Sequence, residues 1–150
     1  MADATPAFGI EKIYITDCSM ENPNVPESFM IREQPTLDVD VNPSYRKLDD
    51  DHYEVSIKVN VTAKNAADNK TLFICEVTQA GIFLMQHIPE NDEQILLNAT
   101  APNILFPYLR QAVASLTSDA GFPAIHLAPF NFDVYYQDKL AQEKGGASVQ

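Results

Sequence analysis

Residues 54–63 alternate strictly. Val55, Ile57, Val59, Val61 and Ala63 fall on one side of an extended chain, and Glu54, Ser56, Lys58, Asn60 and Thr62 on the other. A period of two sustained this long predicts a half-buried strand. Residues 36–42 repeat it, with Leu37, Val39 and Val41 against Asp38, Asp40 and Asn42. The polar, turn-rich link between the two predicts an antiparallel hairpin. Residues 71–79 are apolar at both parities: Phe73, Cys75 and Val77 on one side, Leu72 and Ile74 on the other beside Glu76 and Thr78. The polar link 64–70 predicts a second hairpin. An early strand over 8–17 changes parity between Ile10 and Ile13, as a bulge would make it do.

Residues 18–36 carry Pro23, Pro26 and Pro35. The segment is long for a hairpin turn, which predicts a crossover to a non-adjacent strand position. The second half of the chain changes period. Residues 90–99 predict a short helix. Across 102–120, Leu105, Tyr108, Leu109, Ala112, Val113 and Leu116 recur at three- and four-residue spacing. That is an amphipathic helix stopped by Gly121, with Pro107 in its first turn or at a kink. A last helix is predicted over 131–144, opened by Asn131 or Asp133. Residues 1–7 and 145–150 read as flexible tails. Strands followed by helices predict an α+β fold: a four-stranded antiparallel sheet with helices packed on one face.

The chain has 150 residues, which fits one domain over 1–150 and lets it bury roughly 70% of its unfolded surface without staples. No apolar run approaches the ~20 residues that cross a membrane. The N-terminus lacks a basic stretch followed by an apolar one, so a cytoplasmic chain is expected. Cys18 and Cys75 are then expected to be reduced and packed. Net charge is 10 − 21 = −11. That argues against nucleic acid and anionic membrane as partners. It fits simple solubility, or an acidic face that meets a basic protein.

The residues assemble no persuasive catalytic set. His52, His87 and His126 have no metal-ligand spacing among themselves or to the cysteines. There is no glycine-rich phosphate loop. Asp38, Asp40 and Asn42 imitate the start of a calcium loop, but Pro43 stands where glycine is required and Asp49 where glutamate is. A binding protein with no cofactor and no metal is expected, not an enzyme.

Two surfaces ask for an explanation. If Val55, Ile57 and Val59 face the helices, then Asp38, Asp40, Ile74 and Glu76 face away, with Asp17 and Glu21 at the end of the first strand. Acids around an apolar spot fit plain solvation or a docking face. The second surface is residues 121–133, GFPAIHLAPFNFD, an apolar segment that Pro123 and Pro129 keep from being helical. It fits buried core, a subunit interface, or a groove shared with Phe29, Met30 and Ile31 of the crossover.

Four stretches carry a family resemblance: IEKIYITDCSMENPN (10–24), FICEVTQAGIF (73–83), APNILFPYLR (101–110) and GFPAIHLAPFNFD (121–133). Their order and spacing resemble SecB, the bacterial protein-export chaperone family, over about residues 8–140. The resemblance implies a homotetramer, a dimer of dimers, that holds unfolded secretory precursors in the cytosol without ATP and passes them to the SecA translocase motor. SecA's basic zinc-binding tail would dock on the flat sheet face through the positions of Asp17, Glu21, Ile74 and Glu76. The precursor groove would use Phe29, Leu37, Val39, Ile125, Leu127 and Phe130. Cys75, Val77 and Gln79 match inward positions that support the oligomer interface. Many members carry a tryptophan where this chain has Glu33. A SecB-like chaperone dedicated to another client, such as a toxin–antitoxin partner, is the alternative, and a structural subunit whose apolar loop is fully buried is a third.

Overall fold

The structure, a computed structural model, describes residues 5–148, with side chains to residue 143. Four antiparallel strands come first: β1 Ala7–Glu21, β2 Pro35–Lys47, β3 His52–Asn65 and β4 Thr71–Gln86. Their order across the sheet is β1-β4-β3-β2. The two hairpins are as predicted, and the 18–36 segment carries the chain from one edge of the sheet to the other. It holds one 3₁₀ turn, Glu27–Met30.

Every strand is longer than its pattern announced, and each extension has a reason. β2 runs through Pro43, which pairs opposite Ile57. Proline is tolerated there because β2 is an edge strand, with one side free of ladder partners. β4 continues through residues 80–86, where alternation fails because Ala80, Ile82 and Leu84 are apolar on the outer side as well. β1 carries irregularities between Ile10 and Lys12 and between Ile15 and Asp17. The first is the bulge that the parity change predicted; the second restores Asp17 and Glu21 to the outer face.

The helices form one layer on the inner face. α1 Glu90–Ile95 runs through a π turn, Leu96–Thr100, directly into α2 Ala101–Asp119. The expected pair of helices is thus one rod. Pro102 explains the wide turn: it has no N–H for the carbonyl of Asn98 and its ring crowds that carbonyl. The chain loosens to an i→i+5 turn, and Ala101 N–H donates to the carbonyl of Leu96. α3 spans Phe132–Ser148 and packs against the π turn. It passes the expected end at residue 144, because Gly145 and Gly146 weaken a helix without forbidding it. Of the expected tails, residues 1–4 and 149–150 lie outside the described residues.

The core lies between the inner faces of β3 and β4 and the apolar side of α2. Val55, Ile57, Val59 and Val61 are fully buried, as are Leu105, Leu109 and Val113 on the helix. Each such side chain contributes roughly 1.5–3 kcal/mol of transfer free energy. Phe132 closes the layer against Phe106, with ring centroids 5.8 Å apart. Gly81 lets the rod come close: a Cβ there would stand 3.1 Å from Leu105 Cδ2. The helix layer stops short of β1, whose Ile10 and Ile15 remain about half exposed. No helix among the described residues is long and apolar enough to cross a membrane.

Candidate functional site

The strand register lays the outer face out in rows. One row runs Glu21–Ile74–Thr62–Asp38, the next Ser19–Glu76–Asn60–Asp40, the third Asp17–Thr78–Lys58–Asn42. Asp17, Glu21, Ile74 and Glu76 therefore share one face and one end of the sheet. Asp38 and Asp40 extend the acidic band to the opposite edge. These rows hold five carboxylates and one lysine. Lys58 Nζ lies 3.3 Å from Glu76 Oε1, which leaves the band strongly negative.

Farther along the same face the charges balance. Tyr14 reaches across β4 to donate to Glu54 Oε2, and Arg46 Nε donates to Glu54 Oε1 at 2.8 Å. These two donors, Tyr14 first, hold the Glu54 carboxyl below the ordinary carboxylate range. Burial and the same hydrogen bond push the Tyr14 phenol up to about 12. A carboxylate with both oxygens engaged is poorly placed to recruit a partner, whereas Asp17, Glu21, Asp38 and Asp40 of the band carry no ion pair among the described residues.

The inner side holds two clefts. The first, of about 690 Å³, is walled by Phe29, Leu37, Phe73, Phe122 and Ile125, with Arg32, Glu33 and Gln34 also lining it. The second, of about 670 Å³, is walled by Val39, Phe106, Leu127, Phe130 and Tyr135. Leu37 and Ile125 line both, so the clefts form one groove along β2. All six expected groove residues line it. Leu127 differs from the others in being 5% exposed; it supports the floor, where an open wall was expected. Phe29 and Met30 are open to solvent, and so are Leu37 and Val39. The loop is neither wholly core nor wholly exposed: Phe122, Ile125 and Phe130 are half-buried.

Two residues fix this loop: Thr117, which sequence reasoning passed over, and Gly121, which it read only as a helix stop. Thr117, fully buried on α2, accepts the Ile125 N–H on its Oγ1 at 3.0 Å and donates back to the Val113 carbonyl at 2.8 Å. A lone threonine on an apolar helix face gives no sequence signal of that role. Gly121 has φ +96°, and a Cβ there would stand 2.9 Å from Phe29 Cζ. The glycine both turns the chain and lets Phe29 cross over to Phe122, with ring centroids 5.1 Å apart.

Cys75, Val77 and Gln79 are 0%, 0% and 4% exposed within the single chain. All three side chains lie on the inner face of β4. Gln79 Nε2 donates to the Tyr14 carbonyl at 3.1 Å, at the irregular part of β1. Burial pushes the Cys75 thiol up to about 11, with exposed Cys18 close by.

A sheet with an acidic outer band and an open apolar groove behind it has the make-up of a protein with two separate docking surfaces. A family model described as "Preprotein translocase subunit SecB" matches residues 1–143. Relatives named "Protein-export protein SecB" include one from Neisseria meningitidis serogroup C, 46% identical over 95% of this chain and 96% of its own length. Another, from Chromobacterium violaceum, is 47% identical over 92% and 91%. One from Dechloromonas aromatica is 48% identical over 97% and 93%. The chain belongs to the SecB family of protein-export chaperones. Among solved structures, a Mycobacterium tuberculosis SecB-like chaperone in complex with a peptide from the HigA1 antitoxin superposes with a TM-score of 0.67 over 83% of this chain and 91% of that one. At 18% identity that likeness supports the fold alone.

Proposed function

We propose that this protein is a cytoplasmic, ATP-independent holdase for protein export. It keeps unfolded secretory precursors from folding or aggregating and delivers them to the SecA motor. The observation that carries this reading is the two-sidedness of one sheet: apolar groove on the inner side, acidic band on the outer. An unfolded chain offers apolar side chains at many points, and an open groove binds them through area without demanding a sequence. A basic, zinc-binding tail of the motor is the complement to the band of Asp17, Glu21 and Glu76, with Ile74 as its apolar centre. Relatives at 46–48% identity carry export names, which favours this over a dedicated antitoxin client.

The functional particle is a homotetramer, a dimer of dimers. Exposed Phe8, Ile10 and Ile15 on the uncovered side of β1 support assembly, since an open apolar edge in an acidic protein invites a partner. Several grooves on one particle give avidity for one long chain while each contact stays weak.

Light scattering tests the reading directly. The native mass is measured alone and after dilution of a urea-unfolded secretory precursor into the protein. A four-chain particle that takes up about one precursor supports it. A particle that ignores the precursor overturns it.

A further inference from the structure

Both cysteines of the chain fall in one block of four side chains. Cys18 and Met20 stand two apart on β1, opposite Val77 and Cys75 of β4. Directly opposed residues point to the same side of a sheet, and Val77 and Cys75 are fully buried on the inner side. Three of the block's four corners therefore carry sulfur. Cys18 and Cys75 are far apart in sequence, so no reading of ligand spacing finds the set. Met20 packs against the core cluster that holds Cys75. Cys18 is exposed, because the helix layer stops short of β1, and both thiols are free. The two cysteines sit on a diagonal of the ladder, where Cα atoms are about 7–8 Å apart. A relaxed disulfide spans at most about 6.8 Å between Cα atoms. An ion between two sulfurs spans more, since each metal–thiolate bond adds roughly 2.3 Å.

We propose that Cys18, Met20 and Cys75 form a binding site for a soft monovalent cation, Cu(I), held by the two cysteine sulfurs with the Met20 thioether as third ligand. Thiolate and thioether ligands select Cu(I) over harder ions. Among the described residues no three His, Cys, Asp or Glu side chains stand together as a metal set. A closed zinc site, which takes four such ligands, has no place to form among them. Ligation here is a proton exchange without redox. Each thiol gives its proton to water as its sulfur bonds the ion, and the copper stays Cu(I). Two thiolates around one cation leave a single net negative charge, a smaller burial cost than two bare thiolates. The open side of β1 gives the ion its entry, through Cys18. Once bound, the ion crosslinks β1 to β4 beside the Glu21–Ile74 pair.

The test uses the full chain, reduced and kept anaerobic. Cu(I) is titrated in competition with bicinchoninate, a chromogenic Cu(I) chelator. Wild type is expected to withdraw one Cu(I) per chain, and X-ray absorption at the copper edge to show sulfur neighbours only. Cys18→Ser is expected to weaken binding by about a hundredfold or more, and Met20→Leu by about tenfold. Both positions lie on the open side of the sheet, and native mass and circular dichroism check that each variant folds. Excess Zn(II) is expected to leave the copper in place. A wild-type chain that withdraws no Cu(I), nitrogen or oxygen neighbours in the copper spectrum, or displacement by Zn(II) overturns the site on the wild-type protein alone. A Cys18→Ser chain that binds Cu(I) as tightly as wild type overturns it as well. Unchanged affinity in Met20→Leu overturns the thioether as third ligand.

Discussion

Glu21 at the end of β1 stands directly across from Ile74 on β4. A carboxylate and an exposed isoleucine thus form a cross-strand pair on the solvent face, and Glu76 lies two residues farther along the same side. An isolated isoleucine on a solvated sheet needs no explanation. One set among carboxylates has the make-up of a docking patch, with an apolar centre and a charged rim.

Glu76→Lys reverses a charge inside that patch and also sets the new lysine beside Lys58. Affinity for a basic zinc-binding tail of the motor is expected to fall by about tenfold or more, mostly through slower association, and the wild-type interaction is expected to weaken steeply with added salt. Titration calorimetry reads the loss. Precursor binding measured on the same variant is expected to stay unchanged; a parallel loss of both would refute the separation of the two surfaces.

Gly121→Ala forces a side chain into a left-handed backbone and against Phe29. A destabilisation of about 1–3 kcal/mol is expected, visible as a lower melting temperature. Part of it is expected to return in the double variant with Phe29→Ala, which removes the ring but not the backbone strain. Full additivity of the two substitutions would show that Phe29 does not press on that turn.

Thr117→Val keeps the shape of the side chain and deletes the oxygen that accepts the Ile125 N–H. The stranded amide is expected to destabilise the loop by about 1–3 kcal/mol. Hydrogen exchange at Ile125 is expected to speed up, and client affinity to drop with it, while Thr117→Ser restores both. Unchanged exchange at Ile125 would mean that the loop is held by its aromatic contacts alone.

The turn before β3 carries a pH-dependent clamp. His52 Nδ1 lies 2.8 Å from Asp49 Oδ1, and its Nε2 lies 3.6 Å from Glu11 in the bulge of β1. The hydrogen bond with Asp49, helped by the charges of Asp49 and Glu11, raises the His52 value. Backbone donation from Asp51, then the hydrogen bond with the His52 side chain, lowers that of Asp49. A raised histidine contributes its full stabilisation below the unfolded value of about 6.5 and loses it as pH rises through the folded value. A lowered aspartate contributes above about 3.9 and loses it as pH falls through its folded value. The clamp is therefore tightest in mildly acidic solution and released on the alkaline side. NMR titration of His52 checks the direction: its midpoint is expected above that of a free histidine, and above its own value in Asp49→Asn. The pair is largely exposed, so salt is expected to shrink the difference.

The sheet was legible wherever one face was polar. β3 declared itself because each inward valine alternates with a polar outward residue, and the outward placement of Asp38, Asp40, Ile74 and Glu76 followed from parity alone. Legibility failed where a strand is apolar on both sides, as in residues 80–86, or where an edge position tolerates Pro43. The break expected between two helices was a π turn, because Pro102 can be absorbed by widening a helix as well as by ending it. The groove was half legible. Its apolar side chains stand out in residues 121–133, but the hold of Thr117 on Ile125 and the approach of Gly121 to Phe29 are set by distances in space. No local pattern reports such distances.

Phe73 and Ile74 are neighbours in β4 that point to opposite sides, the first into the cleft and the second into the acidic patch. The two surfaces are thus separated by the thickness of a single pleated strand. β4 is laddered along both edges, to β1 and to β3, so neither side chain can turn without its neighbouring strands. On the function proposed above, client and motor would be read by the two faces of one peptide unit.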